Sequence, residues 1–296
     1  MFNAMKILSR LCIITFIMLP TSLLAQRSLQ AYTPSALLGQ GNWEFKSFQN
    51  LYRETQSFGQ GPFEKIMNDE ERRSLYFTSI NQFLYGLTPQ LNVGVDLWAS
   101  HVDVSSLQQN ANRWGISGVG PKIKIAPIPK LPNLSVQSTF LFPLSKDLEG
   151  RQPGAENPFL FLSFDRYLWL TQFFYDQSLG TKWQIFLQTA FWYSIVRDSF
   201  VNNNFLDTQF NGFLSYFPNS RWTVYGMLEY FPRHYDFETQ MAQPFNIYFA
   251  QAGLGAKYQL IPQLLELELL YSNFFMGSPN NGAGQTFNFG VRIIQQ

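Results

Sequence analysis

The chain has little charge, one cysteine, two histidines and no apolar run long enough to cross a membrane as a helix. Asp, Glu, Lys and Arg make up 14% of its 296 residues, against roughly 25% in soluble domains. Basic and acidic residues nearly balance, 21 against 20, which excludes the basic footprint of a nucleic-acid-binding protein. A single thiol, Cys12, allows no internal disulfide, so stability has to come from a large core or from a membrane. Two histidines, His101 and His234, with no ligand spacing between them, leave no metal site to expect.

The first 25 residues stand apart. Lys6 and Arg10 precede the apolar run Leu11 to Leu19, then Pro20 and a segment ending in Ala25. Charged, apolar and small-residue regions in that order make residues 1–25 a signal peptide with cleavage after Ala25. Removing Lys6 and Arg10 leaves 19 basic residues against 20 acidic ones, a net charge of −1 for residues 26–296.

What the exported part does have is aromatic residues, 17% of the chain with 30 Phe, and period-two alternation. Leu91, Val93, Val95 and Leu97 alternate with Asn92, Gly94, Asp96 and Trp98. Trp183, Ile185, Leu187, Thr189 and Phe191 alternate with Gln184, Phe186, Gln188 and Ala190, and Leu265, Leu267 and Leu269 with Glu266 and Glu268. Such alternation marks strands with two unlike faces. Extended along the chain, it predicts twelve strands near 41–53, 73–87, 91–102, 113–126, 133–144, 160–175, 182–196, 205–217, 221–231, 245–260, 264–275 and 284–294.

The links between them alternate in length. Those at 88–90, 127–132, 176–181, 218–220 and 261–263 are short; those at 54–72, 103–112, 145–157, 197–204, 232–244 and 276–283 are longer and more polar. Short periplasmic turns alternating with long extracellular loops are a feature of outer-membrane barrels, whose strands are even in number when both termini are periplasmic. The fold class is therefore all-β, a transmembrane antiparallel up-and-down β-barrel over residues 26–296, embedded in outer-membrane lipid as a monomer. Trp43, Tyr85, Tyr175, Trp183, Tyr216, Trp222 and Tyr258 fall beside the short turns as one aromatic girdle. Tyr52, Tyr76, Trp114, Tyr193, Tyr230 and Tyr271 are expected to form the opposite one.

Three short segments carry a family resemblance: Gly41-Asn42-Trp43-Glu44-Phe45, Tyr85-Gly86-Leu87-Thr88-Pro89-Gln90-Leu91-Asn92-Val93-Gly94, and Gly118-Val119-Gly120-Pro121-Lys122. Each resembles outer-membrane barrels of the transporter type found in Bacteroidota, and barrels named after the phenol-degradation MetA pathway share that look. The resemblance implies an outer-membrane location in a Gram-negative bacterium and a transport role. One departure is the C-terminus, which runs into Ile294-Gln295-Gln296 rather than ending on an aromatic residue.

Candidates for chemistry are few. His101 has Asp103 and Ser105 near it, and His234 has Asp236 and Glu238, but neither grouping forms a recognised catalytic motif. Asn68-Asp69-Glu70-Glu71 runs into Arg72-Arg73 and reads as a solvated loop rather than a calcium site. Gly115, Gly118 and Gly120 lie in an alternating strand, not in a phosphate-binding loop. Neither enzymatic activity nor a cofactor is expected.

The inward-facing charges say more. If Leu265, Leu267 and Leu269 face lipid, Glu266 and Glu268 face the lumen; the same phase turns Arg292, Lys257, Glu44 and Lys46 inward. Their strands become neighbours once the last strand pairs with the first. Lys122, Lys124, Asp96 and Glu229 add lumenal charge elsewhere, and Phe186, Trp192, Phe213, Tyr225 and Phe249 lie among inward Gln184, Gln188, Gln209, Asn211 and Gln251. Two readings follow: a constriction selecting small solutes in a channel or transporter, or a plug of paired charges in a non-conducting barrel that works through its loops as a scaffold.

Overall fold

In the computed structural model, residues 35–67, 73–105, 110–128, 130–145, 166–195, 197, 204–236, 248–279 and 281–295 are described. The expected signal peptide, residues 1–25, the acidic segment 68–71 and Glu238 lie outside them, as does the side chain of His234. The described residues form strands and turns, with no helix among them.

The strands are β1 (Trp43–Phe58), β2 (Lys65–Met67), β3 (Arg73–Thr88), β4 (Leu91–Ser105), β5 (Asn110–Ile125), β6 (Leu134–Leu141), β7 (Tyr167–Leu179), β8 (Trp183–Ile195), β9 (Phe205–Tyr216), β10 (Trp222–Asp236), β11 (Tyr248–Ile261), β12 (Leu265–Gly277) and β13 (Gly282–Gln295). Each long strand pairs antiparallel with its neighbours in sequence, and β13 pairs with β1 from Trp43↔Gln295 to Ser57↔Gly282. The twelve long strands thus close on themselves. The expected barrel of twelve strands is the observed fold.

The strands run further at the loop end than alternation alone predicts. Glu54–Phe58 belongs to β1, and β2 folds back on it through Gln56↔Met67, Ser57↔Ile66 and Phe58↔Lys65. Much of the expected 54–72 loop is therefore a hairpin extension, with Lys65 donating to the side-chain oxygen of Asn273 at 3.0 Å. β12 and β13 are joined by only 278–281. Polar residues such as Asn110 and Asn112 read as loop, yet they continue a ladder whose backbone partners are supplied by β4. β7 runs past its predicted end at 175 to Leu179, with Gly180 (φ 73°) turning the chain into β8, and its predicted first residues, 160–165, lie outside the described ones.

Side chains sort by face as lipid requires. Leu187, Leu214, Leu228, Leu254 and Leu269 point outward and are exposed, Leu254 to 73%. Such an apolar belt on strands that each have a polar inner face spans a bilayer. At the short-turn end Trp43 lies opposite Tyr85, Trp183 packs on Tyr216 at 4.7 Å between ring centroids, and Trp222 on Tyr258 at 4.6 Å. These cross-strand pairs build the predicted girdle. The opposite girdle needs a correction. Trp114 and Tyr271 are exposed on the outside, but Tyr52 and Tyr76 stack on each other at 5.6 Å inside the barrel. Tyr52 shares the parity of Glu44 along an uninterrupted strand, so it turns inward with it.

Candidate functional site: the barrel lumen

Period-two alternation brings all eight predicted lumenal residues to the inner face, and strand register decides which of them meet. At the short-turn end the barrel seam sets Glu44 opposite Ile294 and Lys46 opposite Arg292. Glu44 accepts from Arg292 through Nη2 at 2.5 Å and Nε at 2.6 Å, and pairs with Lys46 at 2.8 Å. Glu266 stands opposite Arg292 in the β12–β13 ladder. Glu268 pairs with Lys257 at 3.5 Å and accepts from the Tyr225 hydroxyl at 2.5 Å. Lys257 in turn lies 5.7 Å from the Tyr225 ring centroid.

Lys122 and Lys124, on β5, form a second group. Lys122 makes a fully buried ion pair with Asp96 at 2.6 Å, which also accepts from Gln82 at 3.3 Å. Lys124 donates to the carbonyl of Ala36 at 2.6 Å. That contact exposes a feature which alternation could not reveal: the chain reaches β1 from inside the barrel. Residues 36–39 lie as a strap along the inner wall of β3–β5. Asn92, fully buried, brackets Leu38 with its amide oxygen accepting from the backbone N–H (2.8 Å) and its amide nitrogen donating to the carbonyl (3.2 Å). Gly86 lets the strap approach closely, because a methyl group there would overlap the Gly39 carbonyl oxygen. Gly41 and Gly86 then join strap to wall through N–H···O bonds of 2.9 Å from Gly41 to Gly86 and from Gly86 to Asn42.

Halfway along the lumen the polar groups are amides around one acid. Glu229 accepts from Gln209 at 3.0 Å through Oε2 and from Gln251 at 3.1 Å through Oε1, and Asn211 donates to Oε2 at 3.0 Å. Trp192 donates its indole N–H to Gln209 at 3.2 Å, and Ser272 its hydroxyl to Gln251 at 2.7 Å. Below this tier Phe174, Phe186, Phe213 and Tyr225 follow one another at 6.0, 5.4 and 5.9 Å. Above it a longer chain of rings runs Trp98–Trp192–Phe231–Phe249–Phe274–Tyr52–Tyr76, with successive centroids 4.9 to 6.2 Å apart. Trp98 also anchors an inner apolar cluster with Leu141, Leu168, Leu170 and Ala190.

The lumen therefore holds a charged tier, an amide tier and two aromatic tiers, all built from inward positions of alternating strands. His101 is not part of it. It sits on the outward face opposite Phe77 and Trp114. Among the described residues no group of three potential ligands can hold a metal.

No family model matches the chain, and no curated protein matches it either. Solved structures do. An outer membrane channel from Pseudomonas putida F1 superposes with a TM-score of 0.67 at 13% identity, covering 88% of this chain and 98% of that one. The β domain of the Bordetella autotransporter Brka reaches 0.55 at 11% identity, covering 86% of this chain and 99% of that one. Their common element is the closed antiparallel barrel, so by fold this chain is a β-barrel of the outer-membrane type.

Proposed function

We propose that the protein is a monomeric channel or transporter for small solutes in the outer membrane of a Gram-negative bacterium, with both termini periplasmic. The observation that carries this reading is the lining. Glutamines, asparagine, a carboxylate and paired charges line the inner face at the short-turn end and halfway along it, beneath an exterior suited to lipid. A barrel that only needed a filled interior is served as well by apolar side chains, which carry no desolvation cost. The likeness in fold to an outer membrane channel agrees with this, while the autotransporter likeness shows that the scaffold alone does not decide the role. The sequence motifs favour the transporter-type barrels of Bacteroidota and the phenol MetA-pathway group. We read the protein as a non-enzyme, since His101 faces away from the lumenal carboxylates and amides.

Reconstitution in planar bilayers tests it: the barrel should pass ions. Neutralising the pair with Glu266→Gln and Glu268→Gln should alter conductance or ion preference, because both carboxylates lie in the charged tier. Unchanged conductance with reduced thermal stability would assign that tier to structure alone.

A second reading has support of its own. Glu44, Asp96 and Glu268 all have cationic partners at 3.5 Å or less, as a plug of paired charges requires. A non-conducting barrel acting through its loops would be electrically silent and would co-purify with a partner.

A further inference from the structure

The lumenal acids differ in one respect. Glu44, Asp96 and Glu268 have cationic partners, but Glu229, itself buried, has none among the described residues. Its three neighbours are neutral amides. Their orientation bears on its ionisation. The oxygen of Gln209 is occupied by the Trp192 N–H and that of Gln251 by the Ser272 hydroxyl. Both glutamines therefore turn their NH2 groups toward Glu229, as Asn211 does. A protonated carboxyl would need an acceptor for its own hydrogen, and the two glutamines offer it donors only. The collar is built for a carboxylate, yet amides leave its charge uncompensated, a costly arrangement for a buried anion. One step further along β10 and β11, on the same inner face, Phe231 and Phe249 stack at 5.1 Å, and Trp192 reaches Phe231 at 6.2 Å.

We infer that this tier is a recognition site for a small organic cation with an apolar or aromatic body, its ammonium on Glu229 and its body against Trp192, Phe231 and Phe249. An ammonium supplies the missing positive charge, and its hydrogens find acceptor lone pairs on the carboxylate. Aromatic faces favour the same charge and shelter the apolar body. Anions meet the reverse: an unneutralised carboxylate in a low-dielectric lumen repels them. The inference rests on solutes entering the lumen, as the proposed function has it.

Three probes of nearly one shape test the site: benzylamine, benzyl alcohol and benzoate, titrated calorimetrically into the purified barrel in detergent. Benzylamine should bind at least about tenfold more tightly than benzyl alcohol, and benzoate should not bind. Glu229→Gln should abolish the preference for benzylamine over benzyl alcohol. Equal binding of benzylamine and benzyl alcohol to the unaltered protein overturns the inference, and that comparison requires no variant. Retained discrimination in a folded Glu229→Gln protein overturns it as well. The channel reading fails separately: a barrel that binds benzylamine but is silent in bilayers keeps the site and loses the transport role, whereas one that conducts without discriminating loses the site alone.

Discussion

Glu44 and Arg292 stand 248 positions apart in sequence, on the first and last strands of the barrel, and meet at 2.5 and 2.6 Å across the seam where it closes. Their ion pair is more than nine-tenths covered on the Glu44 side and nearly so on the Arg292 side. Removing one partner of a buried pair costs about 3–5 kcal/mol, because the other is left without compensation. Arg292→Ala should fall toward the lower end of that range, since Lys46 still faces Glu44 at 2.8 Å. Glu44→Ala removes the carboxylate that Arg292 and Lys46 share and should fall toward the upper end. Urea unfolding of the barrel in lipid vesicles measures both.

The Asp96–Lys122 pair gives a test of coupling. Neither side chain has any exposed surface, so each single substitution, Asp96→Asn or Lys122→Met, should lower stability, while the double variant should recover much of the loss. Additive effects in the double-mutant cycle would show that the two charges act independently.

On the outer face, Leu254→Arg places a guanidinium halfway along β11 where the leucine is 73% exposed. On a soluble protein an exposed position tolerates such a change. In a bilayer it should cost about 2–4 kcal/mol, read from unfolding in vesicles. A loss below about 0.5 kcal/mol, typical of soluble surfaces, would contradict the lipid-facing assignment.

At the short-turn end, Trp183→Ala and Tyr216→Ala should couple by about 0.5–1.5 kcal/mol, given rings 4.7 Å apart.

The strap predicts a change in access. Gly86→Ala should lift residues 36–39 from the wall. Leu38→Cys, in a mature chain expected to hold no other cysteine, should then react faster with a soluble thiol reagent. Equal labelling rates with Gly or Ala at position 86 would show that the strap is not held there.

How far all this is legible in the sequence depends on which interaction is asked for. Parity is local: once Leu265 faces lipid, Glu266 must not, and that rule places the eight candidate charges; Asp176, expected in a turn, also lies on the inner face, where Gln184 donates to it. Parity also placed Gln209, Asn211, Glu229 and Gln251 on the inner face. It could not show that the three amides converge on one carboxylate, because convergence depends on register between strands, and register is set by turns and bulges. Tyr52 illustrates a conflict within the sequence itself. Its ring suits an interfacial girdle, its parity with Glu44 points inward, and the pleat prevailed over the residue type. The strap left no periodic trace, since Ala36 to Gly39 contribute backbone carbonyls and a lack of side-chain bulk rather than a pattern. Strand ends at the loop side were underestimated because polar residues there continue the ladder while losing the apolar alternation.

The strap has a wider consequence. It lies against β3–β5, and the Trp98 cluster fills the inner wall of β4 to β8, whereas Glu229 sits on β10, diametrically opposite β4 in the ring of twelve. The interior is uneven: the β4 to β8 wall carries the strap and the Trp98 cluster, while the β9 to β11 wall carries the amide collar of Glu229 between aromatic rings. Equal changes of volume on the two sides should therefore have unequal meanings, felt as strain on the filled side and as altered affinity for whatever enters on the other.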